Sequence, residues 1–368
     1  MTPFRLQFDG IFGQQPVKQF FEKAFTTGRL AHSYLFVGPR GVGKLAMALK
    51  CAQIVLCSDD SLRPCGTCKD CKLFLAGNHP NIKIIFPHPR AAKEKELTQI
   101  MESILHTPYA IRRPWASPMI SIEAVRSLRR DLGLTSQGGL NRVTIINDAH
   151  AMTAEAGNAL LKTLEEPPPH SYFFLLTPSP DHVLPTIQSR CQVIRFRNLA
   201  PEEIEAALEK DTTLDASMRQ HIARLANGSL SRAMELLQED IQTIQQDAIE
   251  LLRNAFRNPS QRAVFLQGLV RKHDRKYLRE ILESLLLWLR DAFHRSCTKM
   301  DDPHPAETET VLQKFVQSYP DYRFIEAMAE IDKSIHMLDR YVHPMLVFHV
   351  LLIQLRRFAG QEPKSEAA

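Results

Sequence analysis

The sequence lacks a hydrophobic run long enough to cross a membrane. Its longest late apolar stretch, 345–355, is interrupted by His349 and Gln354, whereas a membrane-spanning helix needs about 20 apolar residues. The first residues also lack the basic and then apolar pattern of a secretion signal. These absences argue against a membrane protein and predict a cytoplasmic protein with no membrane partner.

The sequence also lacks a strong excess of charge of one sign. Its 46 Lys and Arg residues against 41 Asp and Glu residues leave a net charge of +5, which permits contact with nucleic acid but does not indicate it. A chain of 368 residues, 44% hydrophobic and 24% charged, is typical of a soluble globular protein with two or three domains.

A glycine-rich loop at 38–45 is the most informative motif that is present. It reads Gly-Pro-Arg-Gly-Val-Gly-Lys-Leu, follows the apolar run 34–37 and precedes the helix-forming run 45–50. Strand, loop and helix in this order are the context in which backbone N–H groups and a lysine bind nucleotide phosphates. Both flanks argue against a chance match. The motif predicts a nucleotide-binding loop built from Gly38, Gly41, Gly43 and Lys44.

The hydroxyl that normally ends such a loop is missing. Leu45 stands where a Ser or Thr binds Mg²⁺ in an ATP-hydrolysing loop. A second metal-binding acid is expected after the strand 143–146, which runs into Asn147 and Asp148. Both magnesium positions are therefore altered, at Leu45 and at Asn147. We expect weak or absent ATP binding and no ATPase activity of the chain itself.

Four of the seven cysteines lie within 57–71. Two overlapping Cys-x-x-Cys steps and a fourth thiol supply four soft ligands for tetrahedral zinc. Two disulfides are an alternative that a cytoplasmic protein disfavours, and redox catalysis by Cys-x-x-Cys needs only two of the thiols. Because four thiolates leave no open coordination position, the pattern predicts a structural zinc site at Cys57, Cys65, Cys68 and Cys71.

Strand-type and helix-type segments alternate up to residue 196. Apolar runs at 143–146, 172–177 and 192–196 follow the run before the loop, and a helical pattern at 154–164 separates two of them. Such alternation predicts a parallel α/β sheet whose ligands lie beyond the carboxyl ends of the strands.

The rest of the chain is predicted to be helical or irregular. The stretch 82–118 is rich in turns and is interpreted as a surface insertion, whereas 201–237 and 243–358 have helical spacing. Trp288 is expected to be a core residue. The three cysteines outside the cluster, Cys51, Cys191 and Cys297, are expected to be packing residues.

Several blocks of the sequence together resemble a known family. They are 32–36, the loop 38–44, the four clustered cysteines, 158–167 and 189–191. Over about 1–240 the chain resembles the bacterial clamp-loader AAA+ subunits of DNA polymerase III. In that family the gamma and tau motor subunits keep the metal-binding hydroxyl and an Asp-Glu pair, whereas delta-prime often lacks a working site. Leu45 and Asn147 therefore make the chain similar to delta-prime.

The resemblance implies a three-part architecture. It consists of an AAA+ P-loop domain with a parallel sheet over 1–198, a small helical lid domain over 199–240, and an all-α collar domain for oligomerisation over 243–368. The first domain would carry the zinc module at 57–71 and the insertion at about 82–118.

The resemblance also implies a role inside a five-subunit ring. ATP lies between neighbouring subunits in this family, and the arginine of the Ser-Arg-Cys block reaches the γ-phosphate held by the next subunit. Arg190 would be that arginine finger. The implied partners are the gamma/tau and delta subunits of the hetero-oligomer and, through the complex, the sliding clamp and primed DNA.

Other residues of the matching blocks have weaker assignments. Thr177 matches the family's first nucleotide-sensing position. Arg232 falls one place later than the arginine of the second sensing motif. Lys162, Glu165 and Glu166 are interpreted as helix-end charges that stabilise the fold.

Two other functions remain open from the sequence. The chain could be an active clamp-loader ATPase in which Asp148 holds a metal-bound water, although neither metal position carries the usual residue. It could instead be a zinc-dependent nucleic-acid-binding module. However, the cysteine loop has only three basic residues and no aromatic residue before Phe74, which makes a poor stacking platform for bases.

Overall fold

The computed structural model describes residues 5–111, 114–115, 118–134, 140–209, 214–237, 241–297 and 306–360. The chain divides into two compact units. The first comprises 1–210 with 226–235, and the second comprises 211–225 with 236–368. The three predicted domain ranges stay a prediction.

Within the described residues, seven strands form two parallel sheets. The larger sheet has five strands in the order β4-β5-β6-β2-β7, and β1 and β3 form a two-stranded sheet. The strands are β1 Arg5–Leu6, β2 Ser33–Val37, β3 Leu62–Arg63, β4 Ile82–Ile85, β5 Arg142–Ile146, β6 Ser171–Thr177 and β7 Gln192–Arg195.

The central strands are apolar because helices cover both of their faces. All five residues of β2 are buried, and the side chains of consecutive residues point to opposite faces of the sheet. Phe36 belongs to a core cluster with Phe21 and Phe174, whereas Leu35 belongs to a second cluster with Leu175. The predicted parallel α/β sheet is confirmed.

Sixteen α-helices complete the described part of the chain. The helices α1–α8 and all but the last residue of α10 belong to the first unit, and α9 and α11–α16 to the second. They are α1 Gln15–Thr26, α2 Lys44–Leu56, α3 Lys69–Leu75, α4 Glu94–His106, α5 Ile122–Leu134, α6 Ala154–Glu165, α7 Pro185–Gln188, α8 Pro201–Leu208, α9 Ala216–Leu225, α10 Leu230–Leu236, α11 Ile241–Ala255, α12 Pro259–Lys272, α13 Arg275–Cys297, α14 Ala306–Ser318, α15 Phe324–Asp339 and α16 Pro344–Arg357.

The interpretation of 82–118 as a surface insertion is wrong for its first part. Strand β4 is an edge strand of the five-stranded sheet and pairs with β5 in parallel. Ile100 and Ile104 of α4 are buried in the core on one face of that sheet. The segment is therefore part of the α/β unit, because its short apolar run completes the sheet and its first helix covers it.

The second unit is built only of helices where the structure describes it. Its core contains Leu251, Leu285 and Phe348, together with Trp288, so the prediction for Trp288 is confirmed. No helix in the described ranges combines the length and apolar character that a membrane crossing requires.

The three cysteines outside the cluster differ in burial. Cys51 and Cys191 are buried in the α/β unit, as expected of packing residues. Cys297 is exposed at the end of α13, so the packing interpretation is wrong for this residue.

Candidate functional site

The glycine-rich loop lies where the fold predicts a ligand site. It connects the end of β2, the fourth strand across the sheet, to the first residue of α2. Gly41 and Gly43 have φ angles of 76° and 99°, in the left-handed region that glycine adopts without strain. Gly43 is the N-cap of α2, so the helix begins directly at the end of the loop, as it does in phosphate-binding loops.

Lys44 is held inside this loop by the loop's own backbone. Its side-chain ammonium donates to the carbonyl oxygen of Gly38 at 2.6 Å and to that of Pro39. The residue is only 9% exposed. Burial lowers the pKa of Lys44 to about 8, although the charge of Asp148 opposes this shift.

Leu45 is a core residue. It is 8% exposed and belongs to the hydrophobic cluster on one face of the sheet. Asn147 directly follows β5, and its backbone N–H donates to the carbonyl of Ile85 at 2.8 Å. The loop has the glycines and the lysine of a phosphate-binding loop, whereas the side chain of Leu45 offers no oxygen to a metal ion.

Gln14 ties the loop to the segment that follows β7, the edge strand next to β2, a role that the sequence analysis missed. Its side-chain amide donates to the carbonyls of Val42 at 3.2 Å and of Arg197 at 2.7 Å. Its side-chain oxygen accepts from the N–H of Arg197 at 3.2 Å. Gln14 is 1% exposed. The following Pro16 signals a helix start, but nothing in the local sequence points to bonds with a residue 183 positions away.

The two candidate sensing residues have local partners. The Thr177 hydroxyl donates to the carbonyl of Ser179 at 3.0 Å and accepts from the N–H of the same residue at 3.1 Å. Arg232 lies 3.4 Å from the carboxylate of Glu235, and the N–H of Leu230 donates to the loop carbonyl of Gly41 at 3.0 Å. The turn before Arg232 therefore contacts the loop directly.

Arg190 lies on an exposed turn between α7 and β7. Its guanidinium pairs with the carboxylate of Glu165 at 2.6 Å and donates to the carbonyl of Thr186 at 2.8 Å. Glu165, interpreted from the sequence as a helix-end charge, is thus the acidic partner of the predicted finger. The ion pair is partly exposed on both sides, so it contributes little to stability and can open at low cost.

The four predicted zinc ligands converge in a cluster. The sulfur atoms of Cys57, Cys65, Cys68 and Cys71 all lie within 4.8 Å of one another. Two of the separations are 3.9 Å, between Cys57 and Cys68, and 4.0 Å, between Cys65 and Cys71. A tetrahedral zinc ion with Zn–S bonds of about 2.3 Å requires sulfur atoms about 3.8 Å apart. The cysteine cluster fits zinc, and the loosely spaced Cys57 belongs to it.

Backbone N–H groups favour the thiolate forms of Cys65 and Cys68, whereas burial raises the pKa of Cys57 and Cys71. The N–H of Cys68 points at the sulfur of Cys65 at 3.3 Å, and this bond lowers the pKa of Cys65. The N–H of Cys71 points at the sulfur of Cys68 at 3.4 Å, where Cys68 also begins α3 as its N-cap. Such N–H donors orient thiolate ligands around a metal.

Comparison with known proteins identifies relatives of this chain. The family model described as "DNA polymerase III, delta subunit" matches residues 13–200, slightly more than half of the chain. The DNA polymerase III subunit delta' of Bacillus subtilis (strain 168) is 32% identical over 230 residues, which are 62% of this chain and 60% of the relative. The subunit delta' of Escherichia coli (strain K12) is 31% identical over 60% of this chain and 59% of its own length.

A tau subunit and a gamma subunit-related protein of known structure are also among the proteins similar to the chain. The subunit tau of Bacillus subtilis (strain 168) is 28% identical over 65% of this chain and 38% of its own length. The crystal structure of a gamma subunit-related protein of DNA polymerase III from Thermotoga maritima covers 94% of this chain and 99% of its own, at 15% identity and a TM-score of 0.41.

The chain spans about 60% of the length of the delta' relatives that it matches. The family model matches residues 13–200, and this range contains the glycine-rich loop, the cysteine cluster and Arg190. The chain therefore belongs to the DNA polymerase III delta subunit family, with delta' subunits among its relatives.

Proposed function

We propose that the chain is a delta-prime-like subunit of a bacterial clamp loader and that it does not hydrolyse ATP itself. The observation that carries this proposal is the position of Leu45 in the hydrophobic core, where an ATP-hydrolysing loop needs a metal-binding hydroxyl. When ATP is bound with Mg²⁺, the ion neutralises the charge that develops on the phosphates. Leu45 and Asn147 are poor replacements for the residues that hold this ion.

In this proposal, Arg190 serves the ATP of a neighbouring subunit. A guanidinium supplied in trans stabilises the charge that develops during phosphoryl transfer and makes hydrolysis depend on the geometry of the subunits. The exposed position of Arg190 and the modest strength of its pairing with Glu165 support this role. On assembly, the guanidinium would exchange the Glu165 carboxylate for the phosphate of the neighbour.

The proposed complex is a hetero-oligomer in the cytoplasm. Its other members would be gamma/tau and delta subunits, and it would open a sliding clamp and close it on primed DNA. Contact with DNA would be directed mainly at backbone phosphates and shared among the subunits.

Zinc is the proposed metal of the cysteine cluster, and its role is structural. Four thiolates would fill the tetrahedral coordination of the ion, so that no position stays open for a substrate or a water molecule. The zinc would fix the segment 57–71 against α2 and α3. A closed structural site is compatible with nucleic-acid binding, so the argument against the zinc-dependent nucleic-acid-binding alternative is the composition of the loop, with few basic residues and no aromatic residue before Phe74.

Steady-state ATP hydrolysis separates the silent subunit from the motor alternative. The purified chain is assayed with Mg²⁺ and primed DNA beside a Lys44→Ala variant, which reports contaminating activity. We expect equal turnover in both proteins. Turnover that the Lys44→Ala variant loses would mean that the chain is an active ATPase.

A reconstituted complex with the gamma/tau and delta subunits of the same organism tests Arg190. We expect Arg190→Ala to abolish hydrolysis at the one site that it serves, by about 10³-fold or more. Arg195→Ala is the matched control, because Arg195 is an exposed arginine on the adjacent strand β7. Equal ATP turnover in the two variant complexes would exclude the finger.

A further inference from the structure

Two of the loop glycines are in close contact with atoms of the chain itself. A Cβ atom on Gly38 would collide with the carbonyl oxygen of Phe196 at the end of β7. A Cβ atom on Gly41 would collide with the hydroxyl of Ser229 and would lie 2.8 Å from the Cβ of Ser231. In nucleotide-binding loops the missing side chains let the backbone approach phosphates. Here they also make room for neighbouring segments of the same chain.

Gly43, the third glycine of the loop, is covered by Tyr109, a residue with no role in the proposed function. Tyr109 follows α4, and its hydroxyl oxygen lies 2.8 Å from the position of a Cβ atom on Gly43. Two ring carbons of Tyr109 lie 3.5 Å from the same position. The Tyr109 ring also packs against Phe12, with 6.2 Å between ring centroids. The phenol group is thus wedged between the end of the loop and the segment before α1.

The carbonyl groups of the loop are bound by the chain as well. Lys44 donates to Gly38 and Pro39, the N–H of Leu230 donates to Gly41, and the Gln14 side chain donates to Val42. The loop carbonyls are therefore bound by the loop's own lysine and by two other parts of the chain. A nucleotide that used this loop would have to coexist with these contacts or displace them.

We propose that Tyr109 is a steric cap, whose phenol ring keeps nucleotide phosphates away from Gly43 and the start of α2. The cap rests on the proposed function, in which the loop does not hydrolyse ATP. It adds a steric reason why the loop would bind nucleotide poorly. It acts separately from the loss of the metal-binding hydroxyl at Leu45. Among the groups that cover the loop glycines, Tyr109 has the largest side chain, and a substitution there removes the cover without changing the loop.

Binding of a fluorescent ADP analogue to the full chain tests the cap. The titration is made with and without added Mg²⁺ and without a chelator, so that the cysteine cluster is undisturbed. We expect Tyr109→Ala to bind the analogue about tenfold or more tightly than the unmodified chain. Tyr109→Phe is the matched control, since it keeps the ring over Gly43, and we expect no gain. Adding Lys44→Ala to Tyr109→Ala should abolish the gain, which assigns it to the loop.

Two results would overturn the cap. One is nucleotide binding by the unmodified chain as tight as that of Tyr109→Ala. The other is a folded Tyr109→Ala protein, judged by circular dichroism, whose affinity does not rise. Should Tyr109→Ala fail to fold, Tyr109→Leu removes the aromatic ring and its hydroxyl while keeping apolar contacts, and the same two results apply.

A double-mutant cycle checks the contact independently of nucleotide. Gly43→Ala is strained by its φ of 99° in any background, and it also meets the Tyr109 hydroxyl. We expect Gly43→Ala to lower the unfolding midpoint less in a Tyr109→Ala background than in the unmodified chain. Equal losses in the two backgrounds would contradict the close contact.

Different experimental results would refute the cap and the proposed function. Hydrolysis by the unmodified chain would refute the silent subunit. Absence of any gain in Tyr109→Ala would refute only the cap. Nucleotide binding without hydrolysis in Tyr109→Ala would support both, because Leu45 still lacks a metal-binding oxygen.

Discussion

The glycine-rich loop and the cysteine cluster are two ligand-type motifs in one α/β unit, and they differ in what satisfies their polar groups. In the loop, the Lys44 ammonium is bound by carbonyls of the same loop, and Gln14 and Leu230 bind further loop carbonyls. In the cluster, four thiols face one another within 4.8 Å. A loop whose polar groups are hydrogen-bonded within the protein can remain folded without its ligand. Four converging thiolates, in contrast, need a cation to offset their mutual repulsion.

Removing the metal from the cysteine cluster should have the largest effect. Structural zinc sites contribute about 10–16 kcal/mol of apparent binding free energy in small peptides. We expect the unmodified chain to contain one zinc ion by atomic absorption, and Cys68→Ser to lose it together with a large drop in the midpoint of thermal unfolding. Cys297→Ser is the matched control, because this exposed cysteine lies outside the cluster. Full zinc content in Cys68→Ser would contradict the site.

Restoring a hydroxyl at the end of the loop should weaken the fold without creating an ATPase. Leu45→Thr removes apolar contacts from the core and buries a hydroxyl, so we expect it to lower the free energy of unfolding by about 2–4 kcal/mol. Leu45→Met keeps the volume and should cost less than about 1.5 kcal/mol. Urea denaturation measures both values, and a stable Leu45→Thr protein that hydrolyses ATP would show that the loop is only one residue from activity.

Breaking the Gln14 connection should have an intermediate effect. Gln14→Leu leaves the carbonyls of Val42 and Arg197 and the N–H of Arg197 without this side-chain partner. Loss of such buried partners lowers the free energy of unfolding by about 1–3 kcal/mol. Gln15→Leu is the control, since Gln15 is the next residue and is exposed. Similar urea midpoints for the two variants would show that the connection is unimportant.

The smallest expected effect concerns the charge of Lys44. Its pKa in the folded protein is lowered from 10.5 to about 8 by burial, so the unfolded chain binds more protons between these two values. Stability therefore rises with pH in that window, by at most about 1.4 kcal/mol per pH unit.

Lys44→Met removes this titration and serves as the reference protein. The difference in unfolding free energy, unmodified chain minus Lys44→Met, should grow from pH 8 to pH 9 by about 1 kcal/mol. A constant difference would mean that the ammonium is better solvated than its burial indicates.

Much of the fold could be predicted because its signals are local. The runs that became β2, β5 and β6 were placed within one residue of their observed ends, since fully buried strands are apolar throughout. The four cysteines were assigned by spacing alone, and the cluster geometry agrees with that assignment. Strand β4 was missed because it has only four residues and lies at the sheet edge before a proline-rich stretch.

The missing parts of the candidate site depend on distant contacts. Gln14 meets Arg197 across 183 positions, and Tyr109 meets Gly43 across three helices and two strands. Glu165 reaches Arg190 from the last turn of another helix. No periodicity or spacing in the sequence predicts these pairings, because side-chain contacts between separate elements depend on the topology of the sheet.

The order of the strands also has a consequence for biosynthesis. Strand β2 lies between β6 and β7, and its paired residues in these strands are translated 140 and 158 residues later, as in Ser33 with Phe173 and Tyr34 with Gln192. At about 5–20 residues per second, the partner strands of β2 are synthesised roughly 7–30 s after it. The cysteine loop closes within 15 residues and can bind its metal long before that time. The nascent chain therefore has an early local anchor, while the central strand is exposed to mispairing and to chaperones.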